Sequence, residues 1–468
     1  MRSDWTKTTL KNAGVVLIDC DHKTPSAQET GFPYVGIPQL VNGRIVLDGV
    51  RLISEEDFVK WRKKSKPITN DVILSRRCNP GETAYVPAGL EIALGQNLVL
   101  LRADGKFIYP PFLRWLVQGP KWWEQIKKFI NVGAIFNSLK CVDIPNFEIL
   151  LPQFDIQKQI SKVLSDLDDK IFSNTQINTT LETMAQALFK SWFVDFDPVK
   201  AKMEARSQGG DDATVRQAAM LVISGKTADA LAIMKEKDPE AYRSLAETAD
   251  LFPERLVESE LGLIPEGWEV GVFADLCINV ESGGTPKRTE ESYWGGEIKW
   301  LTSGEVRDVI VFNTKEKITV VGLNNSSAKV WPRFSTVVAM YGATAGQVCM
   351  LAEEMAANQA CCALIPVEYY RSYVFVAARN SIKSLSEKAS GSAQQNLNKG
   401  LVENHQILKP NKKIAQHFEY FAFDLIANWI SNELESFTLA ELRDVLLPKL
   451  LSGEIDLSTL PLPQEQTS

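Results

Sequence analysis

The chain has 468 residues, 45% hydrophobic and 23% charged, with a net charge of −7, which suits roughly two to four soluble domains and excludes wholesale disorder. Its seven cysteines are scattered without a CxxC pair, against a cysteine-rich zinc site or a disulfide-stapled miniature fold. No apolar run approaches the roughly 18 residues of a membrane span, and MRSDWTKTTL lacks a signal-peptide core, so a cytoplasmic protein with reduced thiols is expected. In chain order, residues 1–150 read as a first globular block, with strands at Asp71–Leu74 and Asn97–Leu101 and a helix at Lys121–Phe129. Residues 151–198 read as a long helix from near Asp155, stopping before Asp197-Pro198. At 1.5 Å per residue its length is about 60 Å. Residues 199–262 form a polar, partly helical connector. A second block follows at 263–407, then a second long helix at 408–455, kinked by Pro448, and a tail at 456–468. The net charges of 1–150, 151–262, 263–410 and 411–468 are +5, −6, −1 and −5, so the acid lies mainly on the helical segments.

The chain repeats itself. Ile160, Leu164, Leu167, Ile171, Asn174, Asn178, Leu181, Ala185, Leu188 and Trp192 alternate spacings of four and three, a heptad seam with polar steps in its middle. A shift of 258 gives Phe418, Ala422, Leu425, Trp429, Asn432, Ser436, Leu439, Arg443, Leu446 and Leu450, most of the same polarity class. The blocks repeat more faintly. Trp5 matches Trp268, Thr24-Pro25 matches Thr285-Pro286, and Gly95-Gln96 matches Asn358-Gln359. The run Asp71–Arg77 before Gly81 matches Ser335–Tyr341 before Gly346, and Arg76 and Tyr341 are read as equivalent because each lies just after a strand and before a turn.

A four-three seam needs a partner helix. The repeat supplies one, and antiparallel pairing would give a pseudo-twofold molecule with the stretches around Leu167 and Leu425 in contact. The expected fold is therefore α+β: two repeated mixed domains separated by an antiparallel coiled coil. Two unequal blocks on a stiff spacer suit a bipartite ligand. DNA half-sites one helical turn apart, about 34–36 Å, fit that geometry. A protein–protein adaptor with two globular blocks and no DNA contact is the alternative.

Catalytic signatures are missing from the sequence. There is no GxxxxGK[ST] loop. Asn79-Pro80-Gly81 lacks the second proline and the aromatic of an amino-methyltransferase motif. Glu297-Ile298-Lys299 is a chance-level nuclease-like tripeptide, and the histidines His22, His405 and His417 are far apart. No catalytic, cofactor or metal residues are expected.

The segment Leu151-Pro152-Gln153, then Gln157-Lys158-Gln159-Ile160, then Leu181 through Ser191-Trp192-Phe193-Val194-Asp195-Phe196-Asp197-Pro198, resembles the central conserved region of type I restriction–modification specificity (S) subunits. Leu446 through Ser452-Gly453-Glu454-Ile455 resembles their C-terminal conserved region, and Leu263-Ile264-Pro265-Glu266-Gly267-Trp268 the start of their target recognition domains. The resemblance implies a non-catalytic subunit whose two recognition domains, 1–150 and 263–407, each read half of a split double-stranded DNA target. It implies two methyltransferase (M) subunits and restriction/translocase (R) subunits as partners. S-adenosylmethionine, ATP and Mg would then belong to those partners, none to this chain.

Base edges and phosphates call for amide, hydroxyl, guanidinium and ammonium groups. The candidates in the first block are Lys23, Thr24, Lys63, Arg76, Arg77, Gln96 and Asn97. In the second they are Thr285, Lys287, Arg288, Tyr341, Thr344, Gln347, Asn358, Gln359, Gln394 and Gln395. Any one of them could instead be an ordinary solvated loop residue.

Overall fold

The computed structural model describes residues 5–133, 136–390 and 396–458. The chain forms two compact units, Met1–Phe172 with Ser436–Ser468, and Ser173–Glu435. Each unit holds one block and half of each long helix. The long helices are Phe154–Phe193 and Lys412–Ser452, the latter running through Pro448.

The first unit is built on an antiparallel sheet in the order Val15–Asp19, Leu98–Ala103, Val72–Ser75, Thr83–Tyr85. The run Leu98–Leu101 is apolar throughout because a strand sends alternate residues to opposite faces, and here both faces are covered. Val99 and Leu101 enter one core with Phe112 and Trp115, while Leu98 and Leu100 enter another with Val35 and Ile92. A second sheet orders Arg51–Ile53, Phe32–Val35 and Ala93–Leu94, the last pair parallel. Thr6–Thr9 pairs with Glu148–Leu151 and closes the block at the foot of the first long helix.

The second unit repeats this plan. Its main sheet orders Cys277–Ser282, Cys361–Pro366, Thr336–Ala339 and Val348–Leu351, with Ile310–Val311 added in parallel at the edge. Glu316–Ile318, Trp294–Leu301 and Ala356–Ala357 form the second sheet, again with the last pair parallel. Glu269–Val272 pairs with Gln406–Lys409. The glycines after the equivalent strands, Gly81 and Gly346, both have positive φ, +105° and +86°, which side chains resist.

The connector is more ordered than its polarity suggests. Helices Asp197–Ser207, Asp212–Ser224, Ala228–Lys237 and Pro239–Asp250 follow one another. Asp211, Thr227 and Asp238 cap the last three through backbone N–H groups. Pro198 does not merely stop the long helix; it lies in the first turn of the next one, where its missing N–H costs nothing. Strands Leu256–Ser259 and Gly262–Pro265 then make a hairpin across the expected boundary at residue 262.

Within each unit the long helices run antiparallel. In the first, Ile160 and Leu164 share a core with Leu450, and Asp168 accepts a 2.9 Å hydrogen bond from Arg443. In the second, Asn432 donates to Asn178 at 2.9 Å, and Trp192 meets Phe418. This corrects two expectations. Antiparallel pairing gives the repeat-related Leu167 and Leu425 different partners: Leu167 lies beside the level of Arg443, and Leu425 packs with Leu188 against the second unit's core. Leu167 is also only half-buried, and the neighbouring Asp168 takes the buried seam position. Ile171, Leu181, Leu188, Leu439 and Leu446 are half-buried, while Asn174, Phe418 and Trp429 are buried. Among the described residues no helix is long and apolar enough to cross a membrane.

Candidate nucleic-acid interface

In each block a loop follows the first strand of the main sheet and meets a turn that leads into the central strand. In the first block the loop carries His22, Lys23 and Thr24, and the turn carries Gly95, Gln96 and Asn97. Thr24, Gln96 and Asn97 line one cleft of about 220 Å³, with Tyr34 in its wall. The Tyr34 hydroxyl donates to the Lys23 carbonyl at 3.2 Å, and the Trp61 indole N–H donates to the same oxygen at 3.1 Å. Burial pushes the Tyr34 phenol above its ordinary pKa, against an opposing hydrogen bond with Thr24.

The second block builds the same place more tightly. Thr285 Oγ1 donates to Gln359 Oε1. Trp300 Nε1 donates to the Gly284 carbonyl at 3.0 Å, and Trp294 Nε1 to the Lys287 carbonyl at 3.3 Å. The backbones cross so closely that a Cβ on Gly283 would lie 2.2 Å from the Asn358 oxygen, so only glycine fits. Asn358 Oδ1 accepts from the Ala360 N–H at 3.1 Å and shapes the turn.

Hydrogen-bond register corrects the equivalence of Arg76 with Tyr341. Arg76 N donates to Asn97 O, and Met340 N donates to Ala360 O. Leu139 N donates to Arg76 O, and Leu397 N to Met340 O. Arg76 therefore matches Met340, and Arg77 matches Tyr341. One residue along a strand reverses the face. Accordingly Arg76 is only 9% exposed and Met340 2%, whereas Tyr341 is 39% exposed and Arg77 is half-buried, its guanidinium over Phe136.

Arg76 Nη2 lies 3.4 Å from His22 Nδ1. The same Nδ1 lies 3.3 Å from the Gln96 carbonyl, and Nε2 lies 3.1 Å from Asp19. Asp19, Cys20 and His22 bring possible ligand atoms within 4.8 Å of one another. Arg76 and Lys64, the latter 3.5 Å from Asp19, oppose a cation there, and burial pushes the Cys20 thiol up to about 11.

The remaining candidates divide. Lys23 and Lys63 are exposed, the latter at the end of helix Glu55–Arg62. Lys287 pairs with Glu290 at 3.3 Å. Arg288 forms a two-pronged pair with Glu316, the longer arm 2.9 Å, and lies over Trp294 and Trp300 at 3.9 and 4.9 Å. Thr344 is buried and donates to the Tyr341 carbonyl, while Gln347 is half-buried. Gln394 and Gln395 lie outside the described residues. Tyr34 and Trp300 carried no site signal in the sequence, and His22 only its place beside Lys23-Thr24.

Two matching mixed blocks, each presenting a polar turn and each mounted on antiparallel helices, define a two-domain recognition scaffold. A family model described as the type I restriction modification DNA specificity domain matches residues 3–183 and 265–436. The HindI specificity subunit of Haemophilus influenzae is 32% identical over 404 residues, covering 83% of this chain and 88% of its own. The MjaIX specificity subunit of Methanocaldococcus jannaschii is 22% identical over 467 residues, covering 98% and 95%. The crystal structure of a type I S subunit from M. genitalium shares the fold, with a TM-score of 0.55 at 13% identity over 95% of this chain and 96% of its own. This chain belongs to the type I restriction–modification DNA specificity family and carries two copies of the family's domain.

Proposed function

We propose that this chain is the non-catalytic, DNA-reading subunit of a cytoplasmic type I restriction–modification complex. Each block reads one half of a bipartite duplex target, and the helix pair sets the spacing. Two methyltransferase subunits dock on the chain and supply S-adenosylmethionine and base flipping. The restriction and translocation subunits supply the ATP- and Mg-dependent work. The observation that carries this reading is the repetition: two blocks keep the same sheet order and polar turn while the residues around the turn diverge. Two copies of one reader with different side chains suit two different half-sites. The test is to map DNA methylation in the host with and without this gene. A split motif that loses its methylation on deletion is the expected result. An unchanged methylome alongside stable capture of unrelated proteins would favour the adaptor reading.

A further inference from the structure

The two blocks retain one arrangement in detail. Tyr34 and Trp300 occupy the same place, each paired in parallel with the first residue of a short strand, Ala93 or Ala356. Each donates to a main-chain carbonyl, that of Lys23 or Gly284. The residue after that carbonyl is Thr24 or Thr285. The residue three beyond each short-strand alanine is Gln96 or Gln359. Thr24, Gln96 and Gln359 are exposed and Thr285 is half-buried, so a ligand can reach all four.

Around this pair the blocks differ. Lys23 stands against Gly284, Gly95 against Asn358, Asn97 against Ala360, and Arg77 against Tyr341. A feature common to both readers cannot tell two half-sites apart. What every duplex offers in common is its sugar–phosphate backbone, whose oxygens accept hydrogen bonds from hydroxyl and amide groups. The geometry fits an acceptor. Thr285 gives its one hydroxyl proton to Gln359 Oε1, so it positions the amide, and the Gln359 NH₂ group is the donor this pair offers to a phosphate oxygen.

We propose that Thr24/Gln96 and Thr285/Gln359 are matching clamps on a DNA phosphate, one per half-site, and that the differing residues beside them, Arg77 and Tyr341 included, read the bases. This rests on the DNA-reading function above and assigns a division of labour within it.

The test uses the assembled complex, with one duplex of unrelated sequence and a randomised duplex pool as probes. Gln96→Lys and Gln359→Lys place a cation at the clamp. Each should tighten binding to the unrelated duplex and steepen the slope of log affinity against log salt by about 0.9, the value for one added phosphate contact. The motif selected from the pool should not change. Thr285→Val should weaken binding to all sequences alike, by about two- to tenfold. Tyr341→Ala should alter the selected motif at one half-site only. A lysine variant that changes the motif would show that the pair reads bases, and one with an unchanged salt slope would show that it does not touch the backbone. Either result overturns the clamp. Misfolding cannot mimic a gain in affinity. A wild-type complex that binds neither probe would instead remove the DNA-reading function, and the clamp with it.

Discussion

In the first unit the block is fastened to the long helices through Asp168, whose carboxylate is 5% exposed and faces Arg44, Arg114 and Arg443 at once. Arg44 also donates to the Asp168 carbonyl at 3.0 Å and to Asp169 at 2.9 Å. In the second unit rings take over. Phe189, Trp192 and Phe193 of the first long helix pack against Phe418 of the second and Tyr373 of the block. Phe193 lies 4.8 Å from Tyr373 and 5.0 Å from Phe418, both edge-on. An ion pair there joins Arg379 to Glu182. Arg114 and Arg379 both sit on the helix that follows the central strand, so the repeat keeps an arginine-to-acid contact and varies its surroundings. The charged junction is directional, because each guanidinium meets the carboxylate in a fixed plane. The aromatic junction draws on area and on edge-to-face geometry, and tolerates small rotations better.

The sharpest way to break this contrast is Asp168→Ala. Removing the acid leaves three guanidinium groups facing one another at a junction where burial already pulls Arg114 below its ordinary pKa. Losing one partner of a buried ion pair costs about 3–5 kcal/mol. The effect should stay in the first unit: amide exchange should speed up in strand Leu98–Ala103 and not in Cys361–Pro366. Equal acceleration in both would mean that the two junctions do not act separately. Trp192→Leu is the converse, with a cost of about 2 kcal/mol. The loss is moderated because the buried Trp192 Nε1 has no hydrogen-bond partner among the described residues. Exchange should then rise in Cys361–Pro366 and not in Leu98–Ala103.

Why one junction was legible in the sequence and the other was not follows from the same chemistry. The aromatic junction falls on the heptad pattern, since Trp192 and Phe418 are seam residues spaced by three and four. Asp168 breaks that pattern. An acid one step from Leu167 reads as the solvated side of a helix, and its arginines come from positions 44, 114 and 443, too far apart in sequence to announce a site. The polar middle was legible because Asn174, Asn178 and Asn432 interrupt an apolar seam and can be buried only by meeting polar groups. Asn178 donates to Glu433 at 3.0 Å and Asn174 to Glu435 at 2.8 Å. At the turns, the Thr-Pro and Gln repeats were visible, while the surroundings of Arg76 and Arg288 were not. Pairing register turns Arg76 inward, and Glu316 with two indoles occupies Arg288, which only the fold reveals.

The smallest expected effect concerns the connector, which the second unit fastens without an ion pair at this contact. His417 on the second long helix meets Thr248 of helix Pro239–Asp250, Nδ1 to Oγ1 at 2.7 Å. Thr248 already donates to the Ser244 carbonyl, so its oxygen accepts from His417 Nδ1–H. Burial lowers the His417 pKa below the ordinary 6.5, with Glu247 pulling weakly the other way. The sign follows from linkage. Above 6.5 the ring is neutral in both folded and unfolded chains, and its contribution to stability is flat. As pH falls through 6.5, the unfolded chain takes up the proton first, so stability declines until the folded ring also protonates. His417→Gln should abolish this part of the decline, read as melting temperature against pH in the wild-type and variant chains. It should also loosen exchange in helix Pro239–Asp250 while leaving the first unit untouched. A variant with the same pH dependence as the wild type would assign the decline to other groups.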